Sequence, residues 1–198
     1  RAEFVEAIRL AVKRFYGDRP YESPDYPRIV HWEGTERLAH LMHSSGQVVI
    51  GGEVNVEEKY IAPTVLIDVD PNSPIMREEI FGPILPVLTY REIDDVIRFV
   101  NKREKPLALY YFGPEQEARE VLNRTSSGGA CVNDTIVHLA NPRLPFGGVG
   151  MSGIGKYHGK ASFELFSNLR SVVKSFTFFD NHFRYPPYKH LNLLKKFM

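Results

Sequence analysis

The stretch Glu78-Glu79-Ile80-Phe81-Gly82-Pro83 decides how this chain is interpreted. Two adjacent carboxylates precede a stiff turn of phenylalanine, glycine and proline, and the apolar residues 84–90 that follow predict a strand. Such a turn holds a carboxylate and an aromatic face at the rim of a sheet, where open α/β sheets bind ligands. On chemistry alone, the two glutamates fit equally well a solvated surface pair and a pair in which one carboxylate recognises ribose hydroxyls.

Downstream of this turn, the hydrophobic pattern alternates between strand and helix. It predicts a helix at 93–100, a strand at 107–112, a helix opened by Gly113-Pro114 and a strand at 129–132. Strands and helices that alternate with short connections are typical of a parallel sheet with right-handed crossovers. The sequence therefore predicts an α/β fold with a mostly parallel sheet and flanking helices.

Upstream of the turn, the elements are shorter and less regular. The pattern predicts a helix over 2–16, a second helix over 35–43, and strands over 48–50 and 61–69. The buried face of the first helix is predicted from its helical spacing, on Phe4, Val5, Ile8, Ala11, Val12 and Phe15.

Composition narrows the class of protein. With 198 residues, 43% hydrophobic and 25% charged, the chain is that of an ordinary soluble protein of one domain or slightly more. A net charge of +1 gives no basis for a nucleic-acid partner. The single cysteine excludes an internal disulfide and predicts a reducing compartment, the cytoplasm. The chain begins at Arg1 with an amphipathic helix and no signal-peptide pattern, so we expect it to be part of a longer protein.

A glycine-rich string, residues 148–153, matches the G-x-G-x-x-G fingerprint of dinucleotide-binding folds. The fingerprint requires a preceding strand, which Pro145 disfavours, and an acidic residue about 20 positions further on, which is missing. We interpret the string as a glycine loop that lets backbone approach closely, and not as a pyrophosphate cradle.

Cys131 and the seven histidines are the remaining reactive side chains. Cys131 stands among small apolar residues with no cation or base evident beside it, so a buried structural thiol is expected. His40 and His43 have a spacing that permits metal binding, but no partner completes the set and no metal site is predicted. A hydrolase that uses Cys131 and His138 is an alternative from another class of function.

Residues 78–83 resemble a signature of NAD(P)-dependent aldehyde dehydrogenases, and further segments are similar to the class 3 branch of that family, which takes fatty and aromatic aldehydes. The resemblance extends from residue 4 to residue 187. The similar segments are 103–110, 126–129, 133–134, 144–150, 152–153, 157–160, 162–163 and 184–187.

The resemblance implies roles for seven residues of this chain. Glu79 would bind the nicotinamide ribose of NAD or NADP, and Phe81 would pack beside the nicotinamide. The aldehyde tunnel would be lined by Ile136, Leu139, Ala140 and Phe146, with His158 at its mouth. The family oxidises aldehydes to carboxylic acids through a cysteine thiohemiacetal and thioester.

The resemblance also implies what this chain lacks. The nucleophilic cysteine and the general-base glutamate are expected upstream of Arg1, so no catalytic residue is assigned here and the chain alone is expected to be inactive. Residues 1–170 would be the C-terminal part of an incomplete catalytic domain. Residues 171–180 would form an oligomerisation strand of a homodimer, and residues 181–198 a basic tail.

Two further questions stay open at this point. A non-catalytic subunit or scaffold of the same fold is the alternative to an enzyme. The apolar and basic tail favours docking on a partner subunit, or fraying, over contact with an anionic membrane.

Overall fold

The computed structural model describes residues 1–178, 180 and 185–187, and the chain divides into two compact units, 1–98 and 99–198. Its helices are α1 (Ala2–Tyr16), α2 (Trp32–His43), α3 (Ile93–Asn101), α4 (Glu115–Arg124), α5 (Val137–Ala140) and α6 (Gly159–Leu165). Its strands are β1 (Gln47–Ile50), β2 (Val54–Asn55), β3 (Tyr60–Ile61), β4 (Thr64–Ile67), β5 (Ile84–Pro86), β6 (Ala108–Tyr111) and β7 (Gly129–Val132).

The first unit is built on a three-stranded sheet with the order β1-β4-β5. Strand β1 runs antiparallel to β4, β5 runs parallel to β4, and β2 and β3 form a separate antiparallel pair. Helix α2 buries one face in the core, because its apolar residues recur at helical spacing. The core of this unit comprises Leu38, Leu41, Met42, Ile61, Leu66, Val69, Ile75 and Ile84.

The second unit contains a parallel pair, β6 and β7, joined through α4. The register places Tyr110 opposite Cys131 and Tyr111 opposite Val132. Helix α4 buries Ala118 and Val121, and it contacts β7. This strand–helix–strand unit has the arrangement that the alternating pattern predicts.

The α/β class is confirmed. The predicted series of strands and helices over residues 84–132 is present. In the described residues, its parallel pairs are β5 with β4 and β6 with β7. Strand β5 is shorter than predicted, ending at Pro86.

Other elements also differ from the predictions. The predicted strand 61–69 is interrupted, because Pro63 has no N–H to donate to a ladder. Helix α1 has the predicted bounds, but Phe4 and Phe15 are more than half exposed, and Val5, Ile8, Ala11 and Val12 are only partly buried. Helices α5 and α6 are too short to produce a detectable apolar period, and neither is predicted from the sequence.

The C-terminal predictions concern residues that are only partly described. Residues 171–178 form no strand within this single chain. Since the predicted strand would pair with another subunit, its oligomerisation role stays a prediction. Phe179 and most of the basic tail, 181–184 and 188–198, lie outside the described residues. No helix in the described part of the chain is long and apolar enough to cross a membrane.

Tyr26 should make folding stability sensitive to alkaline pH. The residue is 8% exposed, its hydroxyl donates to the carbonyl oxygen of Ile61 at 2.7 Å, and burial raises its pKa above the ordinary value. A raised pKa means that this stabilisation is complete below about pH 10 and is lost as the pH rises further. We expect Tyr26→Phe to lower the free energy of unfolding by about 1 kcal/mol at neutral pH.

Urea denaturation at neutral and alkaline pH checks this expectation. Tyr26→Phe should lose less stability on going to alkaline pH than the unmodified chain does. The partly exposed Tyr21 provides the control, because Tyr21→Phe should leave the alkaline loss unchanged. Equal alkaline losses in the unmodified chain and Tyr26→Phe would contradict the assignment.

Candidate functional site

The first candidate site is the turn at residues 78–83, which Arg37 of α2 holds in place. The Arg37 guanidinium donates from Nη1 to Oε2 of Glu78 at 3.0 Å and from Nη2 to the carbonyl oxygen of Ile80 at 2.7 Å. Glu78 is therefore used in tethering the turn to a helix. No local pattern signals this contact, because its partners are more than 40 positions apart.

Glu79 and Phe81 are the groups of this turn that remain free. Among the described residues, no side chain or backbone group forms a hydrogen bond or ion pair with the Glu79 carboxylate. Phe81 is 76% exposed, and its φ of 47° lies in the left-handed region, which is strained for an aromatic residue. An unpaired carboxylate and a strained, exposed ring on a tethered turn indicate a binding role.

The turn closes tightly against α2 and the sheet. A Cβ added at Gly82 would lie 2.5 Å from Cδ1 of Leu38, so only glycine allows this approach. The backbone N–H of Thr64 donates to the carbonyl oxygen of Pro83 at 2.8 Å. A cavity of about 620 Å³ adjoins Phe81, and its wall includes Val30, His31, Gly34 and Arg37.

Further predicted residues lie in the second unit, where α5 follows β7, and they form a separate candidate site. Ile136 has a φ of 65° and precedes the first residue of α5, and this strained residue is exposed. Leu139 and Ala140 are also exposed on this helix. Before it, the side chain of Asn133 accepts from the N–H of Gly113 at 2.8 Å and donates to the carbonyl oxygen of Gly113 at 3.1 Å. Asn133 therefore anchors the segment that presents the predicted tunnel residues.

Phe146 and His158 lie next to each other in the second unit. Their rings stack with centroids 6.0 Å apart and an angle of 23° between the planes. The backbone of Phe146 pairs with that of Tyr157 through two hydrogen bonds of 2.9 Å, which places Tyr157 beside both rings. In the described residues, Nδ1 of His158 is buried and has no hydrogen-bond partner.

Cys131 is buried as predicted, with 7% of its surface exposed. Its Sγ lies 3.3 Å from Nδ1 of His138 on α5. No base was evident beside Cys131 in the sequence, where His138 entered only through the hydrolase alternative. The structure brings the two side chains together because α5 packs against β7.

The glycine-rich string forms a packed loop, as interpreted from the sequence. Residues Gly150–Ser152 form one 3-10 turn, and no described strand leads into it. A Cβ added at Gly148 would lie 2.0 Å from the carbonyl oxygen of Ser152, so this glycine serves close approach of backbone to backbone. The ammonium of Lys156 donates to the carbonyl oxygens of Gly128 and Gly147 and ties the loop to β7's start.

No metal centre accompanies these groups. In the part of the chain that the structure describes, no cluster of three or more histidine, cysteine or acidic side chains could hold a metal ion. His40 and His43 lie in the last turn of α2, and no third ligand from the described residues joins them.

Known proteins are similar to this chain over most of its length. The model of the aldehyde dehydrogenase family matches residues 3–172. Aldehyde dehydrogenase family 3 member B1 of Mus musculus is 50% identical over 192 residues, which cover 96% of this chain and 41% of that protein. The dimeric NADP-preferring aldehyde dehydrogenase of Mus musculus is 48% identical over 188 residues, covering 93% of this chain and 41% of that protein.

A solved structure gives the same result for the fold. The substrate-bound state of Staphylococcus aureus AldH superposes with a TM-score of 0.84 at 45% identity, covering 99% of this chain and 43% of that one. The chain thus spans about two fifths of the length of the relatives it matches. These similarities confirm the resemblance read from residues 78–83 and the incomplete fold, and the chain belongs to the aldehyde dehydrogenase family.

Proposed function

We propose that the complete protein containing this chain oxidises aldehydes to carboxylic acids with NAD or NADP. The observation that carries the proposal is the tethered turn on which Glu78 is paired while Glu79 and Phe81 are free. A carboxylate without a protein partner fits the two hydroxyls of a ribose, and an exposed ring fits the face of a nicotinamide. The dinucleotide, when bound, accepts the hydride from the substrate.

The residues of this chain would bind and orient the reactants. Glu79 would fix the ribose by accepting two hydrogen bonds from its hydroxyls. The strained turn would hold the Phe81 ring against the nicotinamide and so restrict the position of the nicotinamide. The α5 residues, together with Phe146 and His158, would form an apolar wall for the aldehyde and exclude water from it. The nucleophilic thiolate and the general base would come from the preceding part of the protein.

The substrate and assembly are proposed on the same basis. Ile136 and Leu139 expose apolar side chains beside the aromatic cluster of Phe146, Tyr157 and His158. These apolar side chains favour fatty and aromatic aldehydes as substrates. A homodimer is supported by the similarity to a relative described as dimeric, and that relative's preference supports NADP as one of the two cofactors. The single cysteine supports a reducing compartment such as the cytoplasm.

Activity measurements on two forms of the protein test the proposal. The complete protein should form reduced nicotinamide dinucleotide when it is given a fatty aldehyde with NAD or NADP. The 198-residue chain should form none, because the nucleophilic thiolate is proposed to come from the preceding part of the protein and the single cysteine of this chain is buried. Activity in the chain alone would contradict the assignment of the nucleophile to the preceding part. An inactive complete protein that still binds the dinucleotide would support a scaffold instead.

The contact between Cys131 and His138 favours a second candidate, a thiol hydrolase. A catalytic pair of this kind requires an accessible sulfur and a third group that orients the imidazole. Cys131 is buried, and Nε2 of His138 has no hydrogen-bond partner in the described residues. We therefore rank a thiol hydrolase below aldehyde oxidation. The order would be reversed if the unmodified chain hydrolysed a thioester and the Cys131→Ser variant did not.

A further inference from the structure

His138 lies between Cys131 of strand β7 and the rings of Phe146 and Tyr110. On one side its Nδ1 lies 3.3 Å from Sγ of Cys131. On the other side its ring lies 5.7 Å from that of Phe146 and 5.8 Å from that of Tyr110, centroid to centroid. A Cβ added at Gly129 would lie 2.5 Å from Cδ2 of the imidazole, so the glycine provides the space that the ring fills. The imidazole is enclosed on several sides.

The ring of Phe146 lies beside this imidazole. The backbone of Phe146 is fixed by its pairing with Tyr157. In the described residues, its ring lies 5.8 Å from that of Tyr157, 6.0 Å from that of His158 and 5.7 Å from that of His138, centroid to centroid. Because His138 also contacts Cys131 of β7, its imidazole links the ring of Phe146 to a strand.

We propose that His138 is a positioning residue of the aldehyde wall: the thiol of Cys131 anchors its imidazole, and the imidazole sets the ring position of Phe146. The role given to Phe146 rests on the proposed function, whereas the anchoring of His138 by Cys131 does not. A fixed aromatic wall discriminates between aldehydes by size, because a bulky aldehyde contacts it and a small one does not. His138 therefore acts on substrate affinity and not on the chemical step.

Four variants separate the two contacts. His138→Phe keeps a ring against Phe146 and loses the polar contact with Cys131. His138→Gln keeps a polar group and loses the ring. Cys131→Ser keeps a hydrogen-bonding group near Nδ1, and Cys131→Ala removes it. Circular dichroism of each variant identifies any that fail to fold.

Kinetics of the complete protein test the effect on the wall. With decanal, His138→Gln should raise KM about tenfold with kcat changed less than about twofold, whereas the KM for propanal should stay nearly unchanged. His138→Phe should restore much of the affinity for decanal, and Cys131→Ser should stay closer to the unmodified protein than Cys131→Ala. Equal changes for both aldehydes, or an effect confined to kcat, would overturn the proposal.

Alkylation of the 198-residue chain tests the anchoring without any activity. Because Cys131 is the single cysteine, the mass gained from iodoacetamide reports on this thiol alone. Loss of the enclosing imidazole in His138→Gln should accelerate alkylation at least severalfold, and Val137→Ala, which alters an exposed neighbour on α5, should not. An unchanged rate in His138→Gln would overturn the anchoring, and so would a slower rate, which would show that the imidazole activates the thiol. If anchoring holds while the complete protein oxidises no aldehyde, the proposed function has failed and the contact stands.

Discussion

Replacing Gly148 by alanine should destabilise the second unit by at least about 3 kcal/mol. The new Cβ would lie 2.0 Å from the carbonyl oxygen of Ser152, 2.2 Å from its carbonyl carbon and 2.5 Å from the nitrogen of Gly153. All three atoms are backbone, so no side chain can rotate to relieve the overlap. The loop must open, and the free energy of unfolding measured with urea and circular dichroism should fall accordingly.

Gly150 in the same loop is the matched control. Its φ is 64°, but a Cβ there meets nothing within 4 Å. Gly150→Ala should therefore cost only the left-handed backbone penalty, about 1–2 kcal/mol. If both alanine variants unfold at the same urea concentration, the close approach at Gly148 does not carry the stability of the loop.

Glu79→Gln should have the largest effect on the activity of the complete protein. The carboxylate is proposed to accept two hydroxyl hydrogen bonds from ribose, and hydrogen bonds to charged groups contribute about 1.5–3 kcal/mol. An amide retains one acceptor oxygen without the charge, so kcat/KM for the dinucleotide should fall about 10- to 100-fold. Steady-state kinetics with varied NAD and varied NADP measures this loss.

The adjacent Glu78 supplies a control of the same residue type. Because Glu78 is an exposed partner of Arg37, Glu78→Gln should weaken the tether of the turn by less than about 1 kcal/mol and affect dinucleotide binding little. A larger kinetic effect from Glu78→Gln than from Glu79→Gln would reverse the roles that the contacts of the two carboxylates suggest.

The sequence predicted best what depends on local periodicity. The bounds of α1, α3, α4 and β7 follow from apolar spacing and turn residues, and the structure agrees within a few positions. It predicted least well what depends on pairing across the chain. Nothing local indicates that β5 pairs with β4. The apolar residues Ile61, Ala62, Val65 and Leu66 favour one continuous strand, which Pro63 interrupts.

The candidate site shows the same division. The residues expected to contact ligand were identified from a family resemblance. The resemblance shows which positions matter, but it gives no physical reason why those residues lie there. Among the groups that hold them in place, Arg37 and Lys156 contact segments that are far away in the sequence, which no local pattern indicates. His138 lies only seven positions from Cys131, and their contact depends on the fold of the turn between β7 and α5. The positive φ at Phe81 could have been suspected from the glycine and proline that follow, but the one at Ile136 could not.

The hydrogen bonds of the Lys156 ammonium close part of the chain into a ring. By binding carbonyl oxygens of Gly128 and Gly147, a single side chain acts as a non-covalent cross-link between residues 28 positions apart. The closed ring contains β7, Asn133, all of α5 and Phe146, while His158 lies just beyond it. Most of the residues proposed to line the aldehyde wall thus belong to one ring, so substitutions inside it can change the shape of that proposed wall while the link that closes the ring is kept.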